Sequence, residues 1–121
     1  MRRDYRDYLQ DILTAIEETD EFTKGMSYEA FTQDRKTINA VVRSLEVLGE
    51  AAKRIPDDWR IKAPDIPWKY MTGMRDKLVH EYFGVDLSIV WTVIKDDLPP
   101  LHPKIKRLVT SASSESHSRR D

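Results

Sequence analysis

Two stretches of this chain repeat apolar side chains at helical spacing, and that pattern constrains the fold more than any single residue. From Asp4 to Phe22 the apolar positions are Tyr5, Tyr8, Leu9, Ile12, Ala15, Ile16 and Phe22. From Asp34 to about Arg54 they are Ile38, Val41, Val42, Leu45, Leu48 and Ala52, followed by Ile55, with Gly49 inside the run. Steps of three and four residues put one apolar stripe on an α-helix. Lys24-Gly25 is a plausible stop for the first helix, because glycine tolerates the left-handed position after a helix end. Ser27, ahead of Tyr28-Glu29-Ala30, has the chemistry of an N-cap for a short helix that bends near Thr32–Asp34. Gly49 costs a helix interior about 1 kcal/mol relative to alanine, so its presence predicts close approach by another helix.

The remaining elements follow from prolines and caps. Pro56-Asp57-Asp58 ends the second long helix, and Trp59 to Ala63 makes one or two turns before Pro64-Asp65-Ile66-Pro67. Pro67 suits a first turn, and Trp68 to about Tyr82 reads as the fourth helix, ended by Phe83-Gly84. Asp86 caps a helix over Leu87–Asp97, Leu98-Pro99-Pro100 breaks it, and Leu101–Val109 forms a short last one. Residues 110–121 carry five serines and little apolar surface, which predicts a disordered C-terminal tail. There is no useful β-alternation and no internal repeat. The expected architecture is all-α, an up-and-down bundle of four to six helices over residues 1–109.

At 121 residues the chain is long enough for one core and too short for two. No apolar run reaches the roughly 18 residues of a membrane span, and Met1-Arg2-Arg3-Asp4-Tyr5 has no apolar signal region, so neither a membrane location nor secretion is expected. Cysteine is absent, which excludes disulfides and thiolate metal sites and fits the cytoplasm. The net charge is -1 and the pI about 6.3, without the basic excess of a protein that binds nucleic acid over its whole surface. Any contact with RNA has to use a local cluster of Lys and Arg, or a cleft between subunits.

The chemistry concentrates in Arg75-Asp76-Lys77-Leu78-Val79-His80-Glu81-Tyr82. An imidazole titrates near neutral pH, a guanidinium binds phosphate, and a phenol offers a modifiable hydroxyl. On a continuous helix Asp76 and His80 share one line and Arg75 and Tyr82 another, so the carboxylate could hold the imidazole and raise its pKa. Arg75 and His80 then lie about 140° apart around the axis. Either the arginine bends round, or the helix loosens near His80, or the two groups meet from two chains. Spacing alone equally allows bland roles: His80 as a charge partner of a helix C-terminus, Arg75 in a salt bridge, Tyr82 as a core aromatic.

The Arg-x4-His-x-Tyr pattern, with Trp68–Met74 before it and Phe83-Gly84-Val85-Asp86 after it, resembles the HepT toxins of the HEPN superfamily of small helical ribonucleases. Val42–Lys53 and the stretch from Val90-Trp91 through Asp97-Leu98-Pro99 carry the likeness further, so that it covers about residues 1–109. The resemblance implies a HEPN-like bundle acting as a homodimer with the two motifs lining one cleft, and a close approach at Gly49 is one place where a twofold interface could form. It implies a metal-independent endoribonuclease that needs no cofactor, with Arg75 and His80 as the catalytic pair and Asp76 in support. Its substrate is RNA (tRNA or mRNA), whose own 2′-OH is the nucleophile, and Lys77 and Lys69 are expected to contact it. Tyr82 is implied to be the site at which a partner, an MntA-like nucleotidyltransferase antitoxin, attaches AMP. Two other classes compete. A non-catalytic helical module would bind the nucleotidyltransferase or a nucleotide through the same residues. A helical metal protein fits poorly, because the chain lacks paired Glu-x-x-His motifs and His80-Glu81 cannot both face one ion.

Overall fold

The structure is a computed structural model that describes residues 3–80 and 84–119, without the side chains of residues 79, 80 and 115–119. Helix α1 spans Tyr5–Thr23. It starts where the Asp4 carboxylate accepts the Arg6 N–H at 2.8 Å, while the Asp4 N–H donates to the Asp7 carboxylate at 3.0 Å, so two donors of the first turn are satisfied reciprocally. Its inner face buries Leu9, Ile12, Leu13, Ala15 and Ile16. Thr19 and Thr23 are also buried, and each hydroxyl donates to the carbonyl four residues back at 2.8 Å, so neither enters the core unpaired. Gly25 follows with φ of 77°, the left-handed turn that closes the helix.

The Ser27 hydroxyl caps α2 (Tyr28–Thr32) through the Ala30 N–H at 3.1 Å, and the Asp34 carboxylate caps α3 (Arg35–Lys53) through the Thr37 N–H at 3.0 Å. Helices α1 and α3 form the most extensive pair in the bundle. Short α4 (Asp57–Lys62) buries Trp59, whose ring stacks on Tyr5 at 5.0 Å. The Arg60 guanidinium donates back to the Ala52 carbonyl at 2.9 Å, tying α4 to the end of α3. The predicted close approach at Gly49 is present. A Cβ there would stand 3.3 Å from the Met71 carbonyl oxygen and 3.4 Å from Met74 Cβ. The approaching segment belongs to the same chain, and Gly49 is buried beneath it. This position is therefore filled from within and is not the place for a twofold interface.

The expected single helix from Trp68 to Tyr82 is instead two short helices and a ribbon. Helix α5 covers Trp68–Thr72 and α6 covers Met74–Leu78, separated at Gly73. Beyond Leu78 the backbone extends: β1 (Val79–His80) pairs antiparallel with β2 (Gly84–Val85), Val79 opposite Val85 and His80 opposite Gly84. Gly84 has φ of 76°, which an L-residue adopts only at a cost. The Asp86 N–H donates to the Leu78 carbonyl at 3.1 Å and locks the return of the chain.

Helix α7 (Leu87–Thr92) opens on the Asp86 carboxylate, which accepts from the Ser88 and Ile89 N–H groups. It runs into one π-helical segment, Val93–Asp97, and then into α8 (Leu98–Arg119) without the break expected at Leu98-Pro99-Pro100. The widened turn explains this. Leu98 N–H bonds the Val93 carbonyl five residues back, and the prolines that follow fall in the first turn of α8, where a missing N–H is tolerated. Of the segment read as a disordered tail, residues 110–119 belong to α8 and Ala112 is buried, while residues 120–121 lie outside the described residues. Among the described residues no helix is long and apolar enough to cross a membrane. The fold, among the described residues, is all-α apart from the ribbon of two two-residue strands.

Candidate active site

The unwinding after Leu78 resolves the angular conflict between Arg75 and His80. Arg75 lies on α6 and is exposed, whereas the His80 backbone lies on β1, so helical projection no longer relates them. The same change removes the geometry on which an Asp76–His80 contact was predicted, since a fourth-neighbour pairing requires unbroken helix. Asp76 is exposed beside Arg75 on α6. The His80 side chain and the whole of Tyr82 lie outside the described residues.

Two supports hold the ribbon that carries His80. Leu78 is buried at its root, and Asp86 closes that same end through its N–H on the Leu78 carbonyl while capping α7, with its carboxylate also accepting the Ser88 hydroxyl at 2.7 Å. Below this, the half-buried Tyr70 on α5 donates its hydroxyl to the Asp97 carboxylate of the π segment. Burial, and then the hydrogen bond and charge of Asp97, push the Tyr70 pKa up from its ordinary value, so this hydroxyl stays a donor. The Lys77 ammonium sits 4.9 Å from the centre of the Tyr70 ring. Lys69 is exposed on α5.

Arg75 faces a groove of about 440 Å³ between α1 and α3. Arg3, Tyr8 and Asp11 form one wall, and Arg43, Glu46, Val47 and Glu50 of α3, with Arg54 at its C-cap, form the other. Neither Lys77 nor Lys69 lines it. The groove continues along α1 and α3 into a smaller recess of about 180 Å³, where the Ser44 hydroxyl donates to Glu18 at 3.3 Å. The arginines of α3 were not singled out from the sequence. The signal was the solvent-side stripe Arg43–Val47–Glu50–Arg54, at steps of four, three and four, which helical spacing puts on one line. A separate groove of about 450 Å³, between α1 and the start of α8, is lined by Glu17, Asp20 and Glu21. There His102 Nε2 lies 3.1 Å from the Glu17 carboxylate, and the acidic lining repels phosphate.

The family described as Ribonuclease HepT-like matches residues 12–108, a span that contains α3, Arg75 and the ribbon. The chain is 49% identical over 108 residues to a protein of Thermococcus cleftensis named "Probable ribonuclease HepT", covering 89% of this chain and 98% of that one. It is 38% identical over 117 residues to a "putative RNase" of Methanocaldococcus jannaschii, covering 97% of each. A "putative RNase" of Caldanaerobacter subterraneus is 45% identical over 104 residues, covering 86% of this chain and 93% of the relative. No solved structure matches at a significant level. Fold and relatives together define a small all-α endoribonuclease. The chain belongs to the HepT-like ribonuclease family.

Proposed function

We propose that the chain is the toxin of a type VII-like toxin–antitoxin pair and cleaves RNA at Arg75 and His80 by attack of the substrate's own 2′-OH, without a metal. The observation that carries this reading is the state of Arg75: its guanidinium, at the edge of a groove, makes no ion pair or hydrogen bond with any described residue. The same chain then turns out of helix to bring His80 onto a short anchored ribbon. An arginine held in this way can bind the phosphate oxygens with hydrogen bonds that strengthen as charge develops on the phosphorane. His80 removes the 2′-OH proton or supplies one to the departing 5′-oxygen. Asp76 adds a negative charge beside this pair, and the products end in 2′,3′-cyclic phosphates.

Two copies of the chain form the working unit in this reading, with the motifs facing one cytoplasmic RNA. An MntA-like nucleotidyltransferase silences the toxin by attaching AMP to Tyr82, because each phosphodiester adds a negative charge to the motif and competes with RNA phosphate for Arg75. The test is induced expression of wild type, Arg75→Ala and His80→Ala, scoring growth arrest and the chemistry of RNA ends. Wild type alone should arrest growth and leave cyclic phosphate ends; equal toxicity of all three sinks the assignment. Tyr82→Phe should remain active and escape the antitoxin's modification, and an all-deoxy substrate should not be cut.

A further inference from the structure

Among the described residues, Arg75 is not the only guanidinium left without a partner on this side of the bundle. Arg43 and Arg54 line the same groove, both are exposed, and neither side chain makes an ion pair or hydrogen bond with a described residue. The acidic groups nearby do not balance them. Asp11 is taken by Arg3, and Glu50 by Lys53 at 3.3 Å. That leaves Glu46, with Glu18 in the adjoining recess, against Arg43, Arg54 and Arg75, still an excess of positive charge on a chain whose net charge is -1. Like charges gathered in one recess raise the energy of the empty protein and are relieved by an anion. Proximity to the C-terminus of α3 accounts for Arg54 as a dipole partner. It does not account for Arg43, eleven residues earlier in the same stripe, or for Arg75.

We infer that Arg43 and Arg54 of α3 extend the Arg75 site into a phosphate track, which binds the backbone of single-stranded RNA along the α1–α3 groove. This inference rests on the ribonuclease reading above and names the binding surface of that same site. A guanidinium fork matches two oxygens of one phosphate, so three arginines can hold successive phosphates without reading a base. Arg43 and Arg54 are about 16 Å apart along α3 at 1.5 Å rise per residue, a span of two to three nucleotides of extended strand. The acidic groove beside α8 offers the strand no competing surface.

The test separates binding from cutting. The full-length chain carrying His80→Ala is titrated against a fluorescein-labelled single-stranded RNA of mixed sequence, and against its all-deoxy counterpart, over a range of salt. Arg43→Gln and Arg54→Gln are then added singly and together. Each should weaken RNA binding about five-fold at 0.1 M salt, and the pair about 25-fold. The slope of log affinity on log salt should fall by about 0.7 per arginine removed, and the deoxy strand should bind nearly as well as RNA. Lys24→Gln, equal in charge change but off the groove, should leave both quantities unchanged. Arg43→Lys and Arg54→Lys should restore most of the slope, which separates lost charge from a damaged helix. Unchanged affinity and slope in the double glutamine variant overturn the track, as does a wild-type groove that binds no RNA. Cleavage that survives His80→Ala instead overturns the catalytic reading and leaves the binding result to decide the track.

Discussion

Gly49→Ala is the substitution whose outcome depends most directly on the packing described above. Two effects oppose each other. Alanine gains about 1 kcal/mol over glycine in a helix interior. The added methyl, however, meets the Met71 carbonyl oxygen at 3.3 Å and Met74 Cβ at 3.4 Å. Neither is the free end of a flexible side chain, so neither can swing aside, and relief requires α5 and α6 to move as a unit. Overpacking of this kind costs about 1–3 kcal/mol. The expected balance is a loss of about 1 kcal/mol, which for a domain of this size lowers Tm by about 4 °C. Because α6 carries Arg75, a shift of a few tenths of an ångström also moves the guanidinium relative to α3, and cleavage should fall about five-fold in a chain that remains folded. Calorimetry and single-turnover cleavage of one RNA check both parts, with Gly49→Val as the larger probe. A Gly49→Ala protein that melts higher than wild type and cuts at the same rate would refute the reasoning, since propensity alone would then govern the site.

Asp86→Ala removes the side-chain cap of α7, which steadies the root of the ribbon, while leaving the backbone bond to Leu78, and should cost about 1 kcal/mol in a urea titration. Its effect on cleavage should appear in kcat rather than KM, because His80 is displaced while the arginine groove is untouched; a pure KM effect would reject this division. Tyr70→Phe tests the buried hydroxyl through pH. The folded-state pKa of Tyr70 is raised above its ordinary value of 10.0, so its contribution to stability is fully present below that pH and is lost as pH rises above it, where the unfolded chain ionises first. The urea midpoint of wild type should therefore fall more steeply above pH 10.0 than that of Tyr70→Phe. Equal alkaline slopes would show that burial and Asp97 do not perturb the phenol.

Helix starts and stops were legible because caps act locally. Ser27 and Asp86 accept N–H groups of the turns they precede, and Gly25 adopts the left-handed conformation that glycine permits. The interruption of the motif helix was not legible, for a reason visible in its side chains. Met71, Met74 and Leu78 are all buried at steps of three and four, so the apolar stripe continues across the break at Gly73. Periodicity reports which face is covered and cannot distinguish one helix from two that share a core. The extension after Leu78 comes from pairing with Gly84–Val85, a contact no local pattern encodes. The prolines at 99 and 100 misled for the opposite reason. A local rule for breaking helices was met by a π turn one step upstream, which changed the bonding those residues would have spoiled.

The same contrast between local and spatial order explains how a nearly neutral chain presents a binding site for a polyanion. Lys and Arg number 20 against 21 Asp and Glu, so net charge carries no sign of it. What matters is which charges are already satisfied. Arg3 is held by Asp11, Arg60 by the Ala52 carbonyl, and Lys62 and Lys95 lie over the rings of Trp59 and Trp91 at 4.4 and 4.7 Å. Arg43, Arg54 and Arg75 come from two helices that meet only in the folded bundle, and they share one recess with few carboxylates left to oppose them. Attraction between exposed charges fades within about 10 Å at 0.1 M salt, so an RNA strand senses this recess rather than the sum over the surface. Specific contact through a few guanidinium groups also predicts a modest salt slope, set by the number of arginines in the groove rather than by the whole complement of basic residues.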